Sequence, residues 1–426
     1  LGIPAILGAG FFGATRGAEK KVILVSGVNG VISLSETGEQ VERGNRLLVG
    51  MVVLLHTLNH MVSGGLPILY PDIMEEFDLS YSQLGLLRSA STLAAGFPQM
   101  FVGFLRRWFP GRVLIGAGNL VNSVMNIGIS VSSGFYQFLV LSVLGGVGSS
   151  TQHPVGASLI TTVTEPSRRG RMLGLNQSVP SLAFSFTPLL AAYLIIRLGW
   201  RTTLGVLSVP ALVASLILIF LVRGGESAEA KTRDAFSWRR LREALRSRNV
   251  MAISLLRSVM AFRMGVRTFL PLYFINVLGI TAETSSLLYS IMLFGGVLGP
   301  FFWGYLSDRV NRKPLILGVM ASSSVLYFLL QFVENVWLLA AVLFMIGFLV
   351  QTVIVQSVLS DSVPRSQLDQ IFGFYFSIGF TLASVSSVVF GYIVEFFGFG
   401  WGFTYIAAVT LVSMLPALFI SEPRNV

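Results

Sequence analysis

A chain of 426 residues that is 53% apolar, with a mean hydropathy of +0.74, is greasier than the roughly 45–50% apolar share of soluble domains, and it reads as a polytopic membrane protein. It has no cysteine, which excludes disulfides, thiol nucleophiles, thiolate metal sites and iron–sulfur clusters. Its formal charge of +10 sits mainly in short loops between apolar runs, where orientation signals lie, so no nucleic-acid partner is read from it.

Residues 1–46 hold no stretch of the roughly 20 apolar residues that cross a bilayer, and they form an N-terminal extension, disordered or a fragment. Gly8, Gly10 and Gly13 match a Gly-x-Gly-x-x-Gly spacing, but no strand-helix-strand unit or later ribose-binding acid accompanies it, so a glycine-rich tail is the reading. Segments 22–26 and 31–35 suit a hairpin, which two strands alone make only marginally stable. From Leu47 the apolar segments predict helices near 47–70, 82–104, 113–133, 135–162, 170–196 and 199–222, a six-helix bundle over 47–222. A basic linker, 223–249, interleaves Phe236, Trp238, Leu241 and Leu245 with Arg239, Arg240, Arg242, Arg246 and Arg248, an amphipathic helix suited to an anionic inner surface. A second bundle over 250–420 predicts helices at 250–277, 284–306, 314–333, 335–360, 370–397 and 399–420, before a tail at 421–426. The fold class is therefore all-α, with twelve transmembrane helices in two sets of six.

A charged hinge joins two apolar runs at 304–317: Gly304 permits close backbone approach, Asp308 is its acid, and Arg309, Arg312 and Lys313 are its cations. Pro314 suits the first turn of the next helix. The pattern recurs 201 residues earlier, from Gly103 through Arg107 and Arg112, which implies a duplicated chain. Gly199-Trp200 and Gly400-Trp401 echo each other in the same way. Arginine and lysine concentrate at the hinge end, which the positive-inside rule makes cytoplasmic, with Arg197 and Arg201 as exceptions.

Ionisable groups inside a membrane are costly, so each is a functional hypothesis. His56, Asn59, His60 and Ser63 form one stripe of helix 1, and Ser149, Gln152, His153 and Gly156 repeat the spacing in helix 4. Asn119, Asn122 and Asn126 form a third row, read as helix-helix hydrogen-bond partners. Arg263 lies roughly 20 Å into helix 7, with Arg267 one turn on, whereas Arg88 and Arg257 sit close enough to helix ends to snorkel. The alternative for Arg263 is a structural bond to helix-end carbonyls. Three imidazoles have metal-ligand spacing, but neighbouring arginines would repel a cation, so neither metal nor cofactor is assigned. A histidine titrates near neutrality and can couple proton movement to transport, which makes His56, His60 and His153 the coupling candidates.

The hinge and its repeat resemble the major facilitator superfamily. His56-Thr-Leu-Asn59-His60, Leu69-Tyr70-Pro71, Glu76-Phe77-Asp78-Leu79-Ser80 with Gln83-Leu84-Gly85, and Gly148-Ser149-Ser150-Thr-Gln-His153-Pro154 resemble its fosmidomycin-resistance type of efflux carrier. That resemblance implies parallel repeats, a central cavity lined by helices 1, 4, 7 and 10, and export of small compounds on a proton gradient. It also implies a gating role for Gly103, Arg107, Arg112, Gly304, Asp308, Arg309, Arg312 and Lys313. This chain departs from the pattern: Arg107 stands where an aspartate is usual, Pro110 where a glycine is, and Val155 where an acid often follows His153-Pro154. The reading is a multi-pass carrier of the cytoplasmic membrane, monomeric and not an enzyme. It moves a small organic anion with protons through Arg263, Arg267, His56, Asn59, His60, Gln152 and His153, and outward as the resemblance implies. A cation exporter, an anion uptake carrier, a histidine-based metal site and a transport-dead sensor are its rivals.

Overall fold

The computed structural model describes residues 38–421 apart from Arg107, Pro166, 223–237, Arg365 and Ser366. The glycine motif at 8–13, the hairpin at 22–35, Arg107 and the linker's Phe236 thus lie outside the described residues. Among the described residues every regular element is helical. Helix α1 spans Gly38–Phe77, longer than the apolar run predicts because a polar turn precedes it, with Arg46 and Glu42 paired at 3.7 Å. Then come α2 (Tyr81–Gly96), α3 (Val102–Leu105), α4 (Gly111–Ser130), α5 (Phe135–Ser149), α6 (Gln152–Val163) and α7 (Arg169–Phe220). The second half holds α8 (Trp238–Ala244), α9 (Arg248–Ala261), α10 (Val266–Asn276), α11 (Ala282–Ser307) and α12 (Arg312–Leu329). It closes with α13 (Val336–Phe348), α14 (Thr352–Asp361), α15 (Leu368–Val412) and α16 (Met414–Leu418).

These elements compose the twelve crossings. Among the described residues, eight runs are long and apolar enough to span by length and composition. Two of them, α7 and α15, each fold back at a glycine with positive φ, Gly199 (φ 72°) and Gly398 (φ 82°), and so supply two crossings apiece. The turn in the second half therefore falls at Gly398, two residues before the Gly400-Trp401 pair that echoes Gly199-Trp200. Only glycine takes this backbone region freely. The second crossing is α2 continued through a 3-10 turn, Phe97–Met100, into α3, and the fourth is α5 followed by α6.

Where sequence periodicity predicts unbroken helices, three crossings are interrupted: the fourth at 150–151, the seventh at 262–265 and the tenth at 349–351. A break frees backbone groups, and hydrocarbon offers them no water. Each break supplies its own partners. At the fourth, Ser149, Ser150 and Thr151 hydroxyls return to the Gly146, Val147 and Gly148 carbonyls. At the tenth, Trp303 Nε1 donates to Phe348 O (2.8 Å) and Ser323 Oγ to Leu349 O (3.3 Å). At the seventh, Ser386 of α15 accepts from Gly265 N (2.7 Å) and donates to Phe262 O (2.5 Å).

The halves meet at the end away from the hinges. Ser80 caps α2 in a capping box with Gln83, which presents the first turn of α2 to the second half. There Ser82 N donates to Glu395 (2.8 Å), Asn276 donates to the Tyr81 hydroxyl (3.2 Å), and Val388 N donates to Ser89 Oγ (3.0 Å). These hydrogen bonds join the two halves at this end. A Cβ on Gly85 would stand 2.5 Å from Ser387 O, so only glycine allows this approach. Arg201, an exception to the charge rule, is held by Glu76 at 2.6 Å, and Trp200 Nε1 donates to the same carboxylate at 2.6 Å.

Ser386→Ala leaves both the Gly265 amide and the Phe262 carbonyl unmet in an apolar surround. It is expected to lower unfolding free energy by about 1–3 kcal/mol, read as a reduced thermal midpoint of the detergent-solubilised protein.

Candidate functional site

The first-half wall of the site is a knot of imidazoles. His56 and His60 lie one turn apart on α1, and the break in the fourth crossing brings His153, in the first turn of α6, against them. Ring centroids are 4.7 Å apart for His56 and His60, 5.0 Å for His56 and His153, and 6.2 Å for His60 and His153. His56 is buried, with Nδ1 3.2 Å from Asn176 Oδ1 of α7, whereas His153 is exposed and stacks across the gap on Phe380 of α15 (6.4 Å). The same stripe residues Gln152 and Asn59 are spent differently. Asn119 donates to Gln152 Oε1 at 2.7 Å, Gln152 reaches Val52 O at 3.4 Å, and Asn59 reaches Asn119 at 3.4 Å, tying α1, α4 and α6 together. Asn119 and Asn122 bond across to Gln152 and Gly145 O, the helix-helix role their row predicts, whereas Asn126 bonds Asn122 within α4.

The opposite wall is basic. Arg263 sits inside the break of the seventh crossing, between α9 and α10, and Arg267 lies in the first turn of α10. Arg257 and Arg88 join them. Two of the guanidiniums meet a buried phenol, Arg88 hydrogen-bonded to Tyr70 and Arg257 over the Tyr375 ring at 5.3 Å, while Arg267 lies within electrostatic reach of Tyr289 and Arg263 of Tyr327. Arg257 and Arg267 also lie within electrostatic reach of Arg263. Among the described residues no carboxylate pairs with any of the four. The starting point of α9, Arg248, puts Arg257 roughly 14 Å along the helix, too deep to snorkel, and its Nε is buried with no partner. The two walls touch the same stretch of α15, Phe380 stacking on His153 and Gly379 facing Arg257.

At the hinge, Asp308 caps the end of α11 and stands 3.8 Å from Arg312, with 74% of its side chain exposed. The nearer acid of Arg312 is Asp361, at the end of α14, which sequence reasoning passed over because it lies 49 positions away. Lys313 donates to Leu418 O (2.5 Å), Arg309 lies over the Tyr305 ring (3.8 Å), and Arg112 donates to Val222 O. Gly304 has Val353 at 3.4 Å from where a Cβ would stand, and Gly103 lies in α3.

A family model for the Major Facilitator Superfamily matches residues 52–299 and 258–426. The chain belongs to that superfamily. Its members here include the fosmidomycin resistance protein of Escherichia coli (strain K12), 21% identical over 89% of this chain and 93% of the relative. The cis,cis-muconate transport protein of Acinetobacter baylyi is 23% identical over 83% and 88%. In fold, the chain matches a bacterial homolog of the human lysosomal transporter Spinster in an inward-facing and occupied conformation, with a TM-score of 0.71 at 16% identity, over 88% of this chain and 95% of that one. This superfamily member is a transporter, not an enzyme.

Two outcomes are expected. A Cβ on Gly379 would stand 2.1 Å from Arg257 Nε, so Gly379→Ala pushes the guanidinium aside. The protein folds, because the end of a long side chain yields, and transport activity falls about tenfold while the thermal midpoint is kept. At the hinge, Asp361→Asn lowers the thermal midpoint more than Asp308→Asn, whose exposed, longer pair is worth at most about 0.5 kcal/mol.

Proposed function

We propose that this transporter is a secondary carrier for a small organic anion bearing two negative charges, working by alternating access across the cytoplasmic membrane. The observation that carries this reading is the set of four guanidiniums, Arg88, Arg257, Arg263 and Arg267, with no carboxylate partner among the described residues. Uncompensated charge of one sign in a low-dielectric cavity is expensive, and a dianion is the ligand that relieves it. Arginine stays protonated throughout the physiological range, so the preference for negative charge is fixed, and its planar fork suits carboxylate, sulfonate or phosphate ends. A cation exporter would need an acid facing the cavity. The name of the muconate relative, whose substrate is a dicarboxylate, agrees with this class. The hinge end, rich in arginine and lysine, is cytoplasmic in this reading, so the chain is closed to the outside. Export in exchange for protons is the proposed mode, supported by the resistance for which the Escherichia coli relative is named.

Counterflow in proteoliposomes with a panel of dicarboxylates, monocarboxylates and organic cations tests the class. Uptake of a dicarboxylate, reduced about tenfold to a hundredfold in affinity by Arg263→Gln, is expected. Transport of cations alone, or unchanged anion affinity in Arg263→Gln, overturns it. An imposed pH gradient, inside alkaline or inside acid, tests the direction.

A further inference from the structure

We propose that His56, His60 and His153 form a binding site for one divalent transition-metal ion of the zinc, cobalt and nickel class. One ring nitrogen from each lies within 4.8 Å of the other two. With Nδ1 donating to Asn176 Oδ1, His56 keeps its lone pair on Nε2, and that atom is buried with no hydrogen-bond partner. Nδ1 of His60 is likewise buried without a partner. A ligating imidazole that donates its other N–H to an oxygen is the arrangement that fixes tautomer and ring orientation at metal sites, and Asn176 supplies it here. Bonds of about 2.0–2.1 Å in a tetrahedron put ligand nitrogens roughly 3.4 Å apart. The rings close that distance by side-chain rotation, since among the described residues no hydrogen bond restrains the ring of His60 or His153.

The repulsion that sequence order suggests is absent from the geometry. The arginines lie on the opposite wall, and none of them is among the groups that act on these rings, which are Asn176 and the other imidazoles. Three neutral imidazoles suit a borderline cation, and the opening at His153 leaves coordination positions for water or for an anion. A proton and a metal ion compete for the same lone pairs, so occupancy by metal excludes protonation of those nitrogens. The site is independent of the anion reading, because its test measures metal binding and no transport.

The test uses the purified full chain without a polyhistidine tag, titrated with zinc by calorimetry and with cobalt by visible absorption. No cysteine competes for either ion. One ion per chain is expected, with cobalt bands typical of nitrogen ligation. Binding is lost in His60→Gln and in His153→Gln, and Asn176→Ala weakens it about 10–100-fold. His153→Gln keeps the test decisive if His60→Gln does not fold, because His153 faces the opening, and a thermal midpoint checks each variant. Absence of binding in the wild-type protein, or wild-type binding retained in folded His60→Gln and His153→Gln proteins, overturns the proposal.

Discussion

Polarity that hydrocarbon cannot solvate is the constraint on which this structure depends. Three crossings break, and each break is lined by groups that replace the lost helical bonds: Ser149, Ser150 and Thr151 at the fourth, Ser386 at the seventh, Trp303 and Ser323 at the tenth. Irregular backbone at membrane depth is tolerated where protein covers it or a cavity opens beside it. The breaks are therefore also where chemistry is placed. Arg263 occupies one, and His153 opens the helix after another.

The two halves contribute different chemistry to one interface. The first half brings imidazoles and amides, with Gln152 and Asn59 consumed in joining helices. The second half, with Arg88 from α2, brings fixed positive charge backed by buried phenols. The Tyr375 ring packs against the face of the Arg257 guanidinium, an arrangement that leaves its N–H edge for a ligand. Phe380 and Gly379 stand where the two walls meet, so rotation of one half against the other changes both at once.

Closure at the end remote from the hinges rests on short-range contacts: an amide to Glu395, an amide nitrogen to the Tyr81 hydroxyl, and the glycine-permitted approach of α2 to α15. Each hydrogen bond contributes about 0.5–1.5 kcal/mol net, which suits a seal that opens and closes in every cycle. The interior of each half is tied more firmly, as by the Glu76 carboxylate shared between Trp200 and Arg201.

The twelve crossings, the duplication and the glycine turn at 199 were legible in the chain because membrane thickness sets span length and because repeats preserve spacing. The histidine stripes were legible too, since residues four apart share a helix face. Periodicity could not show the breaks at the seventh and tenth crossings, because hydroxyl and indole side chains from other helices make them tolerable and those partners are distant in sequence, whereas the fourth is met by its own Ser149, Ser150 and Thr151. Asp361 and Asn176 escaped for the same reason: their roles come from neighbours 49 and 120 positions away. Arg257 was assigned to a helix end by counting from a predicted boundary, and the position of a helix start is set by packing as much as by hydropathy. The chain's order thus determined which groups lie within the membrane. Tertiary structure decided which of them meet, because charge and lone pairs act through a few ångströms of space, whatever their separation along the chain.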